Sequence, residues 1–575
     1  MREAHTPGRL PWAALVPRRA FAIGAALCVA AALAAGALPI LEVPGFEVGL
    51  AASLAAALLL GPTFGIAAAR RAPAAPLRAF AAAACAVSAL LGLALAAAAL
   101  RAWLLSPCRP LASAPLFALV AFPSGLLAAA VAVLAATLAR GRRRRAALLY
   151  GAAAAASLAA TLTQAYLGPA ASAHDHLLGV WPGPLYDEAL EAGARLVLFR
   201  AGTLAWAIAA VALAALVIRR RAGAPLPGPA IALVAALAAA GAARLGGGGD
   251  ASRAELAERL GGLREGPRCT VHFAREKRPS EAERILRDCE YDAAEIAAAL
   301  GLAHPPRATV WIYRSPAEKR SLVGAGHTSY TKPWLAEVHV NDAGTPHPVL
   351  RHELVHALAA AAASGPLRVP ARAGVVVNLG LVEGLAVALE APRPGEGLHA
   401  WTRALRDGGR LPPLASLMHG GFLGAAPARA YTAAGSFLRF LIERHGPAKV
   451  LAAYREDDVA AALGRPLTDL GAEWNRFLDG VAVPAPLAAA AEVRFASESI
   501  FSRRCAREVA DDEARAAALA AAGRAERAEA LLRRARALSG GDPAFLRPAA
   551  DAWRSAGDRG RAAALYREAL AAADA

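Results

Sequence analysis

Six apolar runs of 20 or more residues occupy positions 21–41, 48–69, 79–100, 116–138, 146–167 and 196–218, and a seventh, shorter run covers 228–243. About 20 apolar residues in a helix cross the roughly 30 Å hydrocarbon core of a bilayer. A backbone placed there must satisfy its own hydrogen bonds, which segments of this length do as helices. Residues 1–244 are therefore expected to form an all-α polytopic membrane domain of about seven transmembrane helices.

The charge supports this and fixes an orientation. The chain as a whole carries +17, which taken alone would suggest a nucleic-acid or anionic-surface binder. Residues 1–244, however, hold 20 basic against 7 acidic residues, a balance of +13, and residues 245–575 hold 43 against 39, a balance of +4. The excess thus belongs to the apolar half, and no nucleic-acid partner is expected. Arg2, Arg9, Arg18 and Arg19 precede the first run, Arg70, Arg71 and Arg78 follow the second, Arg140 and Arg142 to Arg145 follow the fourth, and Arg219 to Arg221 follow the sixth. These 15 arginines share one side, while Arg101, Arg109, Arg195 and Arg200 are assigned to the alternate connections. The arginine-rich side is cytoplasmic by the positive-inside rule. The first run has the basic start and small-residue end of a signal peptide, but with five long runs behind it we read a retained anchor. Seven crossings deliver the chain near Leu245 to the extracytoplasmic side of a cell (inner) membrane; six would leave it in the cytoplasm.

With Arg200 counted among the connections, no run carries a charge in its apolar core, so the usual marker of a transporter is missing and anchoring is the expected role. One outer connection stands apart: His174, Asp175, His176, Trp181, Pro182, Tyr186, Asp187 and Glu188 gather polar and aromatic groups. A metal or substrate site is one reading. Interfacial aromatics with solvated acids is the plainer one.

After the glycine linker 246–249 the composition becomes globular. Residues 280–300 space Ile285, Leu286, Ile296 and Leu300 as a helix does, and 308–313 and 336–341 read as strands rich in Val, Ile and Trp, an α+β pattern. In the run 349–362, His352-Glu353-Leu354-Val355-His356 places two imidazoles four residues apart, on one face of a helix, where both reach a single ion. Glu353 is too near His352 to be a good third ligand but can reach a water at the metal, as a general base must. The alternative, a surface helix with two ordinary histidines, conflicts with the apolar flanks Val349, Leu350, Leu354, Val355 and Leu358. Catalytic zinc needs a third ligand. The helix-like run 375–390 offers Glu383 among apolar neighbours; Glu390, seven residues on, closes the helix.

The helix with His352-Glu353-x-x-His356, followed by Glu383-Gly384-x-Ala386, resembles the gluzincin metallopeptidases, the peptidase MA-like domains related to thermolysin and the zinc aminopeptidases. The stretch from Tyr431 through Gly435, Phe437, Phe440, Leu441 and Gly446 continues the resemblance, which covers roughly residues 268–480 within an expected domain at 250–482. It implies a thermolysin/gluzincin-like α+β fold, Zn2+ held by His352, His356 and Glu383, and catalysis by Glu353, with Tyr431 donating to the oxyanion. It also implies that strand 336–341 is an edge open to an extended peptide. There are departures: His356 and Glu383 are 26 residues apart, so the connector 364–372 must loop out, and no G-x-M-E-N segment of an exopeptidase occurs upstream.

The tail at 500–575 repeats with a shift of 34 residues, aligning Ala522-Gly523 with Ala556-Gly557, Ala528 with Ala562 and Ala535 with Ala569. This period resembles the tetratricopeptide repeat, and with fewer than three units the tail is expected to pack on the preceding domain, either binding peptides or partner proteins or serving as a purely structural cap. Cys28 and Cys85 lie in spans; Cys108, Cys269, Cys289 and Cys505 fall on the outer side, where an oxidising compartment permits a bridge and Cys269 and Cys289 are the nearest soluble pair. The expectation is a membrane-anchored zinc metallopeptidase acting on protein or peptide substrates outside the cytoplasm. Its rivals are an intramembrane protease, disfavoured by Arg351 and the charges around 364–372; a quality-control peptidase that combines multiple spans, zinc and tetratricopeptide repeats, disfavoured by the absence of an E-x-x-x-D-type third-ligand pattern; and a non-catalytic scaffold or receptor with a peptidase-like fold and a partner-binding tail.

Overall fold

The computed structural model describes residues 12–181, 189–190, 192–390 and 397–573. They fall into two units that divide after Asp250. Among the described residues seven helices are long and apolar enough to cross a membrane: α1 (Arg18–Ala35), α2 (Phe46–Arg71), α3 (Pro76–Leu105), α4 (Ala114–Leu138), α5 (Arg143–Leu167), α6 (Ala194–Arg221) and α7 (Pro227–Gly248). The first unit is thus a mostly helical, polytopic bundle, with one short antiparallel hairpin, β1 (Ala173–Asp175) and β2 (Gly179–Trp181).

Helix α4 is its axis, 67% buried along its most apolar stretch, whereas α1, α5 and α7 bury only 11% of theirs. Those outer helices turn Ile23, Leu27, Leu148, Ile231 and Val234 away from the protein, the pattern of surfaces solvated by hydrocarbon. Small residues set the packing where α2 meets α4: a Cβ at Gly61 or Gly65 would lie 2.4 Å from Ala128 Cβ or 2.6 Å from Ala132 Cβ. This four-residue spacing of small side chains lets two backbones approach closely without any hydrophobic drive between them. Just before Pro62, which has no N–H to give, α2 widens into a π turn at Ala56–Leu60, and Tyr150 Oη of α5 donates to the Ala57 carbonyl there.

Two expectations for this unit change. The seventh helix has 22 residues in place of the 16 read from residues 228–243, because Arg244–Gly248 adds a π turn to α7, kinked at Gly247, whose φ of 105° is not helical. Arg200 does not sit in a connection. It lies in the second turn of α6, 1% exposed, where Nη1 donates to Ser124 Oγ on α4 at 3.1 Å. Facing the bundle interior is what makes a charge there tolerable.

The second unit opens with α8 (Arg253–Leu260), capped by Ser252, whose side chain and Glu255 bond each other's backbone N–H groups. A five-stranded sheet follows: β3 (Gly261–Glu265), β4 (Cys269–Ala274), β5 (Ala308–Tyr313), β6 (Tyr330–Lys332) and β7 (Glu337–Asn341), in the order β3-β4-β5-β7-β6. The β4, β5 and β7 strands run parallel, and β3 and β6 pair antiparallel at the two ends. Alternation sends Val271, Val310, Ile312, Val338 and Val340 into one core with Ile285, Cys289 and Ile296 of α9 (Pro279–Leu300). A disulfide joins Cys269 of β4 to Cys289 of α9. The strand expected at 336–341 is therefore not an edge: it lies between β5 and β6, and the edge on its side of the sheet is the three-residue β6.

Helices carry the rest: α10 (Pro316–Val323), α11 (Leu350–Ala359), α12 (Leu379–Ala388), α13 (Leu398–Asp407), α14 (Pro427–His445), α15 (Pro447–Glu456), α16 (Leu467–Asp479) and α17 (Ala485–Arg494). The helix expected over 375–390 is shorter, since Val376–Val377 pairs with Ala371–Arg372 in a small hairpin before α12 begins. That hairpin takes up part of the long connector after His356. The tail forms two helical pairs, α18 (Ala506–Ala521) with α19 (Ala525–Leu538) and α20 (Leu546–Ser555) with α21 (Arg559–Ala573), and α21 packs on α17. The tail belongs to the same unit as the helices before it.

Candidate metal centre

Helix α11 is buried along Leu350, Leu354, Val355 and Leu358. With those side chains committed to the core, the four-residue spacing turns His352 and His356 together toward α12. Helix α12 is fixed at its start by Asn378, whose side chain accepts from Leu381 N and donates to the Met418 carbonyl at 2.9 Å and to Asp457 Oδ1 at 2.8 Å. It crosses α14 at close range: a Cβ on Gly384 would lie 3.0 Å from the Ala434 carbonyl. The glycine after Glu383 is thus required by packing, and it seats the carboxylate opposite the two imidazoles.

The three groups meet. His352 Nε2 lies 3.3 Å and His356 Nε2 3.4 Å from Glu383 Oε2, and one ligand atom from each residue lies within 4.8 Å of the others. The outer nitrogen of His352, Nδ1, pairs with Glu390 Oε1 at 2.8 Å, an arrangement that fixes ring orientation and tautomer. His356 Nδ1 is buried and has no hydrogen-bond partner among the described residues. Burial opposes charge on His352, but Glu383 and Glu390 outweigh it and raise its pKa to about 10. Burial likewise opposes charge on Glu383, and His356 and His352 outweigh it and hold the carboxyl well below the usual carboxylate range. The cluster is a carboxylate compensated by imidazole protons. Two nitrogens and one oxygen converging on a common point are a donor set suited to zinc, and a cation there would replace those protons.

Glu353 is 6% exposed, and its Oε2 accepts from Thr331 Oγ1 of edge strand β6 at 2.8 Å. The same hydroxyl lies 3.0 Å from the Glu353 carbonyl oxygen. Tyr431 is in the second turn of α14, not at its opening, and its ring centroid is 6.4 Å from that of His352. The sequence-derived residues His352, Glu353, His356, Glu383 and Tyr431 are thus gathered in one place. Of two further residues at the cluster, Glu390 entered the sequence reading only as the alternative to Glu383, and Thr331 did not enter it. Glu390 was visible as the position seven after Glu383, hence on nearly the same helix face. Thr331 had no signal, because only the sheet register brings it to α11.

The outer connection of the first unit does not make a second such centre. Asp175 accepts from Ser157 Oγ, from Thr161 Oγ1 and from the backbone N–H groups of Leu177 and Leu178. His176 Nδ1 bonds Thr203 Oγ1 at 2.8 Å, and His174 Nδ1 is 3.4 Å from Asp250, which also pairs with Arg195 and Gln164. Among the described residues these groups tie the connection to the spans; Pro182, Tyr186, Asp187 and Glu188 lie outside the described residues. Compared with protein-family models, curated proteins and solved structures, the chain matches none.

Proposed function

We propose that this chain is a membrane-anchored zinc metallopeptidase of gluzincin type, with its peptidase part on the extracytoplasmic side. The convergence of His352 Nε2, His356 Nε2 and Glu383 Oε2 carries the reading. When bound, a zinc ion supplies Lewis-acid polarisation of a peptide carbonyl and acidifies water. Glu353 takes a proton from the attacking water and hands it to the leaving amine. Thr331 occupies Oε2 of that carboxylate, so Oε1 is the atom that moves the proton. Tyr431 stabilises the developing oxyanion. An extended substrate pairs with β6, the open edge next to Glu353, by strand addition.

Placement outside the cytoplasm rests on three supports. Seven helices are long enough to cross, the arginines bias the opposite side, and the Cys269–Cys289 disulfide suits an oxidising compartment. For the tail, the second helices of its pairs begin 34 residues apart, at Ala525 and Arg559, which supports a tetratricopeptide-like partner-binding role. The test is Glu353→Gln in the full purified chain. It should keep its zinc and lose casein hydrolysis by at least about a hundredfold, the lower range of a general base's contribution. Equal hydrolysis by variant and parent, or a parent that binds no zinc, overturns the proposal and leaves the scaffold reading.

A further inference from the structure

A cavity of about 530 Å³ opens at the arginine-rich end of the first unit, where α4 ends, α5 begins and α6 ends. Arg140, Arg142, Arg145 and Arg221 line it together with Leu148 and Leu149. Among the described residues none of these arginines forms an ion pair, and no acidic side chain lines the cavity. Arg221 is turned toward it by a bond from Nη1 to the Thr137 carbonyl at 2.8 Å. Arg140 and Gly141 both adopt positive φ, which reverses the chain tightly between α4 and α5 and sets Arg140 beside Arg142.

Helix electrostatics oppose part of this grouping. Arg219 to Arg221 close a helix, where cations suit the dipole, but Arg143 to Arg145 open α5 and Arg142 is its N-cap. Positive side chains at that end oppose the dipole, and α5 has no acid in its first turn and no side-chain cap. An anion at this end would be favoured by the N-terminal backbone amides and by all four guanidinium groups. Leu148 and Leu149 follow Arg145 by three and four residues, on the same helix face and about 5 Å farther along the axis. They are 73% and 43% exposed. Charge thus lies at the end of α5 with exposed apolar surface about one turn farther along it.

We infer that this cavity binds an anionic glycerophospholipid, its headgroup phosphate on Arg140, Arg142, Arg145 and Arg221 and its acyl chains over Leu148 and Leu149. The basis is charge complementarity at the membrane surface, and the inference is independent of the peptidase reading. The full chain is purified in a non-ionic detergent, and its bound lipids are read by native mass spectrometry after addition of phosphatidylglycerol, phosphatidylcholine or inorganic phosphate. Phosphatidylglycerol should be retained and phosphatidylcholine should not. The joint variant Arg140→Gln, Arg142→Gln, Arg145→Gln, Arg221→Gln should weaken retention at least about tenfold. A control removing equal charge from the same end, Arg18→Gln, Arg19→Gln, Arg70→Gln, Arg220→Gln, should retain the lipid as the parent does. Should the joint variant not fold, Arg145→Glu alone, at an exposed side chain, should weaken retention several-fold. Equal loss in the control, equal retention of phosphatidylcholine, unchanged retention in the joint variant or in Arg145→Glu, or displacement of the lipid by equimolar inorganic phosphate overturns the inference.

Discussion

Asp175 in the membrane unit and Glu383 in the second unit are both carboxylates set beside histidines, and their donors differ in kind. Asp175 receives two hydroxyls and two backbone amides, so its charge is spread over neutral dipoles. Among the described residues Glu383 receives the Nε2 atoms of two imidazoles, so its charge is met by protons a metal ion can replace. The residue types are similar in the two clusters. A carboxylate saturated by dipoles is structural; one faced by rings able to ligate a metal is a place where a cation can enter.

The largest effect expected from this contrast is in metal content. Glu383→Ala should reduce zinc in the purified full chain to background by elemental analysis, while the pair His174→Ala, His176→Ala should keep the parent's zinc. The reverse outcome would relocate the metal site to the membrane unit. Next in size is Glu390→Ala, which removes the acceptor at His352 Nδ1 without touching a ligand. Loss of such a partner weakens metal by about 10- to 100-fold. Competition with a chromophoric chelator measures it, and an unchanged affinity would mean that the His352–Glu390 contact does not orient the ring.

What could be read in advance follows the range of the interactions. The pair His352 and His356 was legible because four-residue spacing is a local property of a helix, and strand 308–313 was legible because its residues themselves favour β structure. The interior position of β7 was not, since its outer neighbour Tyr330–Lys332 has three residues, too few to show a period. Arg200 was misassigned because the pattern of apolar runs cannot show that Ser124, 76 positions away, offers it a partner. Thr331 is hidden for the same reason, reaching Glu353 only through the register of β6 on β7. The seventh span was read short because glycine's poor helix propensity marked 246–249 as a linker; the structure adds a π turn through Gly248 but does kink at Gly247, so the glycines interrupt the helix without ending it where the apolar run does.

The same contrast predicts a pH dependence for the second cluster. Without metal, His352 titrates near 10, above the 6.5 of an unfolded histidine. Its contribution to stability is therefore complete below 6.5 and lost as pH rises through about 10. Glu383 is depressed below the unfolded value of 4.5, so its contribution is present above 4.5 and lost as pH falls through its lowered value. The pair supports the metal-free fold most fully between 4.5 and 6.5. Zinc must displace the His352 proton, so its affinity should rise by about tenfold per pH unit across pH 6.5 to 9. Calorimetry in buffers of different ionisation enthalpy counts the released proton; a flat affinity with no release would show that the imidazole is already neutral.

The smallest expected effect lies on the other side of the comparison. Asp175→Asn keeps one carbonyl oxygen for the backbone N–H groups of Leu177 and Leu178, which Oδ1 now accepts at 2.7 and 2.8 Å. Ser157 and Thr161 now donate to the carboxylate, and their hydroxyls can rotate to accept from the new amide. A net loss of about 1 kcal/mol follows, the difference between a charged and a neutral set of hydrogen bonds, seen as a small fall in the thermal midpoint of the detergent-solubilised chain. Zinc content and hydrolysis should not change. If instead Asp175→Asn abolished either, the carboxylate would be needed for its charge and not only for its bonds, and the distinction between a dipole-saturated acid and an imidazole-faced one would no longer separate structure from chemistry in this molecule.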